Sequence, residues 1–331
     1  MRLSRATAAL LVPLAVVTLA ATACTPGPTA HHSAGASAAP APQELPYDVR
    51  PLIQPPKKYF GVSRPKAPTS MKPVDDYAEM VGKKPNLIAY YAAWGDGFDA
   101  TGVRNAWSAG ALTVVSWEPQ DISLTDIADG VSDDYLKGYA KAARRLNIPF
   151  AISFADEMNG NWEKWGTTET TPQEYVRAWR HIHDVFEDAG ATNVIWAWSP
   201  NIIEPTGGSV DLKPFYPGDA YVDWVGLVGY FTDWDPHTFE GLFGPTVTEV
   251  HRFTHKPLLV LETGAMPGEH RAGDVRALFE GVTAVPDIIG FAWFDHKARA
   301  DWRLSANPEG LAEFKRLAAN DLYGFDVRKV R

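Results

Sequence analysis

From Tyr59 onward, short apolar runs alternate with stretches whose apolar positions recur every three or four residues. The runs are 59–63, 87–94, 112–117, 150–154, 193–198, 222–228, 258–261 and 288–294. Continuous apolar character over so few residues marks a strand buried on both faces, as in a parallel sheet. Their spacing, roughly 25–45 residues, suits βα units. The intervening stretches predict helices. Residues 133–146 place Tyr135, Leu136, Tyr139, Ala140, Ala143 and Leu146 on one face, with Ser132 as a cap and Asn147-Ile-Pro149 as the stop. A second helix opens at Thr171-Pro-Gln-Glu174, a capping box with proline in the first turn, and ends at Ala189-Gly190. Others are predicted around 74–81, 239–253, 274–285 and 308–319.

Eight such units after residue 58 predict one (β/α)8 TIM barrel over 59–331. An open doubly wound sheet is the alternative. The Gly-rich phosphate loops that would favour nucleotide binding are missing from the sequence.

The first residues follow another pattern. Arg2 and Arg5 precede an apolar run from Ala6 to Ala20, then small residues up to Cys24. This predicts a secretory signal over 1–23. The run is short for a membrane span, which needs about 20 residues. Cys24 is the single cysteine, so no intrachain disulfide is possible. Its position resembles that of a bacterial lipoprotein cysteine, with Ala21 where leucine is usual; plain cleavage leaving a free thiol is the alternative. Residues 24–58, rich in Pro and Ala, read as the lipidated cysteine and a flexible tether. His31-His32 within it is no metal site on this reading. The expected location is the outer face of a bacterial cell membrane, held by the lipid alone.

Removing 1–23 takes away Arg2 and Arg5 and no acid, so the net charge goes from −9 to −11. That excludes nucleic acid, which requires a basic surface, and electrostatic docking to anionic lipid. A neutral substrate and a monomeric chain are expected.

In a barrel the residues just after each strand line the active site. Here they are Arg64, Trp94-Gly-Asp96, Trp117-Glu118, Asp156-Glu157, Trp198-Ser-Pro-Asn201, Tyr230, Glu262 and Trp293-Phe-Asp295. The ring holds carboxylates and aromatics, with no metal-spaced histidine pair, strand-end lysine or nucleophile elbow. No metal or cofactor is expected. Acids with Trp and Tyr suit sugars, whose C–H faces stack on aromatic rings and whose hydroxyls bond carboxylates. Of 12 tryptophans, Trp94, Trp117, Trp162, Trp165, Trp198 and Trp293 lie near the expected mouth, while Trp179 and Trp196 read as core. Glu157 and Glu262, 105 residues apart, each close an apolar run. Glycosidic cleavage needs such a pair. Glu118 reads equally well as a structural ion-pair partner.

Asp156-Glu-Met-Asn-Gly-Asn-Trp-Glu-Lys-Trp-Gly166 resembles the acid/base motif of glycoside hydrolase family 26, the β-mannanase family of retaining (β/α)8 glycosidases. The resemblance continues through Asn193–Asn201, Val222–Tyr230, Lys256–Gly264, Gly290–Phe294 and Asp301–Arg303. It implies Glu157 as general acid/base and Glu262 as nucleophile. It implies Tyr230 bonded to the nucleophile, Trp293 beneath the cleaved sugar, and Trp162 and Trp165 beside the acid. Asn201, Trp94, Trp117 and Asp156 complete the expected substrate contacts. Asp156 departs from the family, which usually has His there; an adjacent carboxylate is expected to raise the pKa of Glu157. The implied activity is retaining endo-hydrolysis of a β-linked polysaccharide or oligosaccharide, β-1,4-mannan first, then mixed-linkage β-glucan or β-xylan. A non-catalytic sugar-binding lipoprotein on a degenerate barrel and a transglycosylase are the alternatives.

Overall fold

Eight parallel strands close into a barrel in sequence order, β1 to β8, each bonded to the next and β8 back to β1. The computed structural model describes residues 45–203 and 210–330. The expected signal segment over 1–23, Cys24 and His31-His32 lie outside the described residues. The strands are β1 Tyr59–Ser63, β2 Leu87–Ala93, β3 Leu112–Glu118, β4 Phe150–Phe154, β5 Val194–Trp198, β6 Trp224–Val228, β7 Leu258–Thr263 and β8 Ile288–Phe294. The helices are α1 Arg50–Ile53, α2 Lys72–Val81, α3 Ala100–Ser108, α4 Leu124–Ala128, α5 Asp133–Leu146, α6 Pro172–Asp188, α7 Phe239–Val250, α8 Arg271–Ala284 and α9 Pro308–Ala318. The barrel is thus the expected one, with α1, α3 and α4 added.

Strand alternation sorts the core into two layers. Leu87, Ala89, Leu112, Val114, Ala151, Ile195, Ala197, Leu259 and Leu261 pack together inside the barrel. Their neighbours, among them Val115, Trp117, Phe154, Trp198, Val260 and Trp293, pack outward with helix residues such as Tyr139, Trp179 and Phe314. Period-two geometry explains the division: adjacent side chains of one strand face opposite sides.

Helix ends follow local chemistry. Thr171 and Glu174 form the full capping box of α6. Ser132 occupies the N-cap position of α5 without a side-chain cap bond, while Asn147 ends that helix in the left-handed region at φ 50°.

The folded unit begins at Leu45, which corrects the expected boundary at Tyr59. α1 closes the amino-terminal end of the barrel, with Leu52 fully buried. The Tyr59 hydroxyl donates to the Leu52 carbonyl at 2.8 Å, and the Trp224 indole to the Ile53 carbonyl at 2.8 Å. Asn147 binds the backbone of Leu45 and Tyr47. Pro-rich composition concealed this segment because it holds few large apolar residues, of which Leu52 is the one fully covered.

Candidate active site

At the opposite end, the carboxyl ends of the strands surround a cleft of about 740 Å³. Asp156, Glu157, Trp162, Trp165, Asn201, Tyr230 and Glu262 all line it, as does Glu118. The sequence therefore located one continuous site from five separate strand ends.

Glu157 sits in a strained turn after β4. Ala155 and Glu157 hold φ of 47° and 55°, the left-handed region, which costs a non-glycine residue about 1–3 kcal/mol. The turn is held from all sides. The Ala155 amide donates to the Trp117 carbonyl at 3.0 Å and the Glu157 amide to the Ser199 carbonyl at 2.8 Å. The Trp165 indole donates to the Asp156 carbonyl at 2.6 Å. Asn159 donates to the Asn201 carbonyl and accepts from the Asn201 amide, both at 2.9 Å, tying the turn to the end of β5. Asn201 and Trp162 then donate to the Glu157 carboxyl, the latter at 3.1 Å.

Glu262 reaches the cleft by a different device. Simple alternation after Leu259 and Leu261 would turn it outward, with Val260. The pairing of β6 with β7 slips between Leu227 and Val228, so that Val228 faces Glu262. Such a bulge re-aims a side chain. The hydroxyls of Tyr91 and Tyr230 both donate to the Glu262 carboxyl, one to each oxygen.

Burial is the main cause of raised carboxyl pKa values here. Glu262 is pushed up to about 7, with the Glu157 charge adding to burial and the two tyrosines opposing. Glu157 is raised by burial and lowered by Asn201, Trp162 and Arg299. Asp156 is raised well above the ordinary range by burial, then by the charges of Glu157, Glu262 and Glu118. This corrects the expected direction of influence. Asp156 is more deeply buried than Glu157 and is raised by the Glu157 charge, whereas the leading cause at Glu157 is its own burial. Its Oδ1 has no partner among the described residues. Glu118 accepts from Gln120 at 3.1 Å rather than from a cation, and lies in the cleft.

Three expected substrate contacts lie elsewhere. Trp117 and Trp293 are fully buried on the outer face of the barrel wall. Trp117 stacks on Tyr139 at 4.4 Å, and Trp293 packs against Phe314 and donates to the Trp302 carbonyl. Trp94 stacks on Trp117 at 4.7 Å and is not part of the cleft wall. The physical reason is parity: each tryptophan on a strand sits one residue away from an inward position.

The inward neighbours line the cleft instead: Tyr91 on β2 and Phe294 on β8. The sequence reading missed both, along with Trp302, which packs on Tyr230 at 4.5 Å, and Trp234, which is 85% exposed at the rim. Counting by twos from the inward apolar residues Leu87 and Ala89 would have found Tyr91. His296 and Arg299, from the segment after β8, complete that wall. His296 stacks on Phe294 at 4.2 Å, and burial lowers its pKa to about 4.

A closed parallel barrel carrying a carboxylate pair in an aromatic cleft defines a glycosidase-type (β/α)8 protein. Residues 123–259 match the sequence model of glycosyl hydrolase family 26, a segment that includes Glu157 and stops just short of Glu262. Endoglucanase H of Acetivibrio thermocellus is 26% identical over 73% of this chain, and mannan endo-1,4-beta-mannosidase of Bacillus subtilis is 32% identical over 36% of it. The matches cover 28% and 30% of those relatives' own lengths. Among solved structures, the catalytic domain of a Bacillus sp. JAMB-750 endo-beta-1,4-mannanase superposes with a TM-score of 0.64 at 19% identity. That superposition covers 83% of this chain and 89% of the other.

Proposed function

We propose that this chain is a retaining endo-β-glycosidase acting on a β-linked polysaccharide, β-1,4-mannan first, then mixed-linkage β-glucan or β-xylan. The observation that carries the reading is the opposed pair: Glu157 from β4 and Glu262 from β7 share one cleft, each with two hydrogen-bond donors. Burial raises the pKa of both carboxyls, so the pair keeps a proton to higher pH than free carboxylates do. In the reactive form of the pair the charge sits on Glu262, which accepts from two phenol hydroxyls, and the proton on Glu157. Glu262 then attacks the anomeric carbon while Glu157 protonates the departing oxygen. Glu157 next takes a proton from water, which releases the sugar from the covalent ester. Trp302 and Phe294 offer apolar faces to the ring, in the role expected of Trp293.

The names of the relatives support both mannan and glucan as substrates. Reducing-sugar release on mannan, β-glucan and xylan tests the reading. Glu157→Gln and Glu262→Gln are each expected to lower kcat by at least about 10³-fold, and proton NMR of the first product should give the β anomer. Binding without turnover by the wild-type chain on every polymer would instead leave a sugar-binding protein. The same proposal includes secretion by residues 1–23 and lipidation of Cys24, with the tether ending near residue 44. Fatty-acid labelling of the full chain, lost in Cys24→Ser, checks that part.

A further inference from the structure

Charge is not spread evenly over this chain. The cleft gathers acids: Glu118, Asp156, Glu157, Glu163, Asp235 and Glu262 line it, with Arg299 among them. The base of the barrel gathers lysines. Lys57 and Lys58 lead into β1, and Lys83 and Lys84 lead toward β2. The segment 320–325 holds the two pairs together. The Lys58 amide donates to the Leu322 carbonyl at 2.9 Å and the Lys58 carbonyl accepts from the Gly324 amide at 3.3 Å. The Lys83 amine donates to the Asn320 carbonyl at 2.7 Å. Burial lowers the Lys83 pKa; Asp321 raises it, and the charge of Lys57 lowers it.

The other acids at the base already have cations. Asp48 pairs with Arg50 at 2.6 Å, Asp326 with Arg328 at 2.7 Å, and Asp287 with His251 at 2.6 Å. Asp321 is the acid left beside Lys83, with Lys57 and Lys84 exposed on the same face. The net charge of −11 expected after loss of 1–23 weighs against anionic lipid only where that charge is felt. Strands of five to seven residues, tilted in a barrel, put roughly 15–20 Å between base and mouth. Physiological salt screens charge beyond about 8 Å. A surface that meets the base therefore meets lysines, not the cleft acids.

The chain enters the folded unit at this same end, where Leu45 and Tyr47 are fixed to Asn147. Cys24 lies 21 residues ahead of Leu45, a span of at most about 75 Å. We propose that the lysine face docks on the phosphate headgroups of an anionic membrane and so fixes the tilt of the domain on that surface. The choice of a membrane as the partner rests on the secretion and lipidation reading above; the glycosidase reading is independent of it.

The test uses residues 25–331, which keep the folded unit from Leu45 whole and carry no lipid. The chain is sedimented with vesicles of phosphatidylglycerol and phosphatidylcholine in equal parts, and with vesicles of phosphatidylcholine alone. Salt is set at about 0.1 M and then about 1 M, which shortens the screening length from about 10 Å to about 3 Å. Binding is expected on the anionic vesicles at low salt, at least about tenfold above phosphatidylcholine, and to vanish at high salt. Lys84→Glu is expected to lower that binding about tenfold, and Lys57→Glu with Lys84→Glu further. Lys141→Glu makes the same charge change on α5, at the flank of the barrel, and is expected to lower it less than about twofold. Equal binding to both vesicles, binding that survives high salt, or equal losses in Lys84→Glu and Lys141→Glu overturns the proposal. Fatty-acid labelling at Cys24 and polymer cleavage are read separately, so neither decides this result.

Discussion

Tyr91 and Tyr230 aim two phenol hydroxyls at one carboxylate, and that arrangement controls when Glu262 can act. Burial alone would hold its proton to higher pH, and the two donors pull the pKa down to about 7. A hydrogen bond to a charged group contributes about 1.5–3 kcal/mol, or roughly 1–2 pH units. Tyr91→Phe should therefore move the acid limb of the kcat/KM profile up by about one unit. The alkaline limb should move less, because Tyr91 bonds Glu262 and not Glu157. Asp156 yields a stability prediction with a definite sign. Its folded pKa lies above the unfolded value of 3.8, so the native state holds a proton that the unfolded chain has released. That stability is present at low pH and is lost as pH rises through the folded pKa. Asparagine has the shape of the neutral acid and never ionises. Asp156→Asn should raise Tm at pH 8 by roughly 2–4 °C for each kcal/mol recovered, with no difference at pH 4. Thermal melts at the two pH values check it.

At the scale of elements, the active-site turn depends on Asn159. Its two bonds to Asn201 hold the turn after β4 against the end of β5, where the strain at Ala155 and Glu157 would otherwise relax. Asn159→Ala should cost about 1–3 kcal/mol of unfolding free energy in urea. It should lower kcat more than it raises KM, because it displaces the acid rather than the sugar contacts. Elements also explain what the sequence could and could not reveal. The eight strands were legible because a strand covered on both faces has to be apolar throughout. Glu157 was legible because it closes such a run. Which way a strand-end residue faces was not. Trp117 and Tyr91 both sit near strand ends, yet parity sends one behind the wall and the other into the cleft. Glu262 shows the converse: pattern alone would turn it outward, and only the slipped pairing with β6 brings it in. Conformational features of this kind leave no compositional trace.

For the molecule as a whole, the barrel is closed at one end and open at the other. α1 covers the amino-terminal end, and the covering was hidden in a segment that composition assigned to a tether. A chain beginning at Tyr59 would lose the buried Leu52 side chain, at about 1.5–3 kcal/mol, and two hydrogen bonds of about 1 kcal/mol each. Urea unfolding should show that loss, and a chain beginning at Leu45 should keep the stability of the full domain. The same plug sets how the domain can be presented. Leu45 and Tyr47 are fixed to Asn147 at the base, with the whole height of the barrel between them and the cleft. Any attachment made ahead of Leu45, whether to a bead, an electrode or a neighbouring protein, pulls on the blind end. The catalytic mouth is left facing away from the support, where it can meet a polymer too large to diffuse underneath.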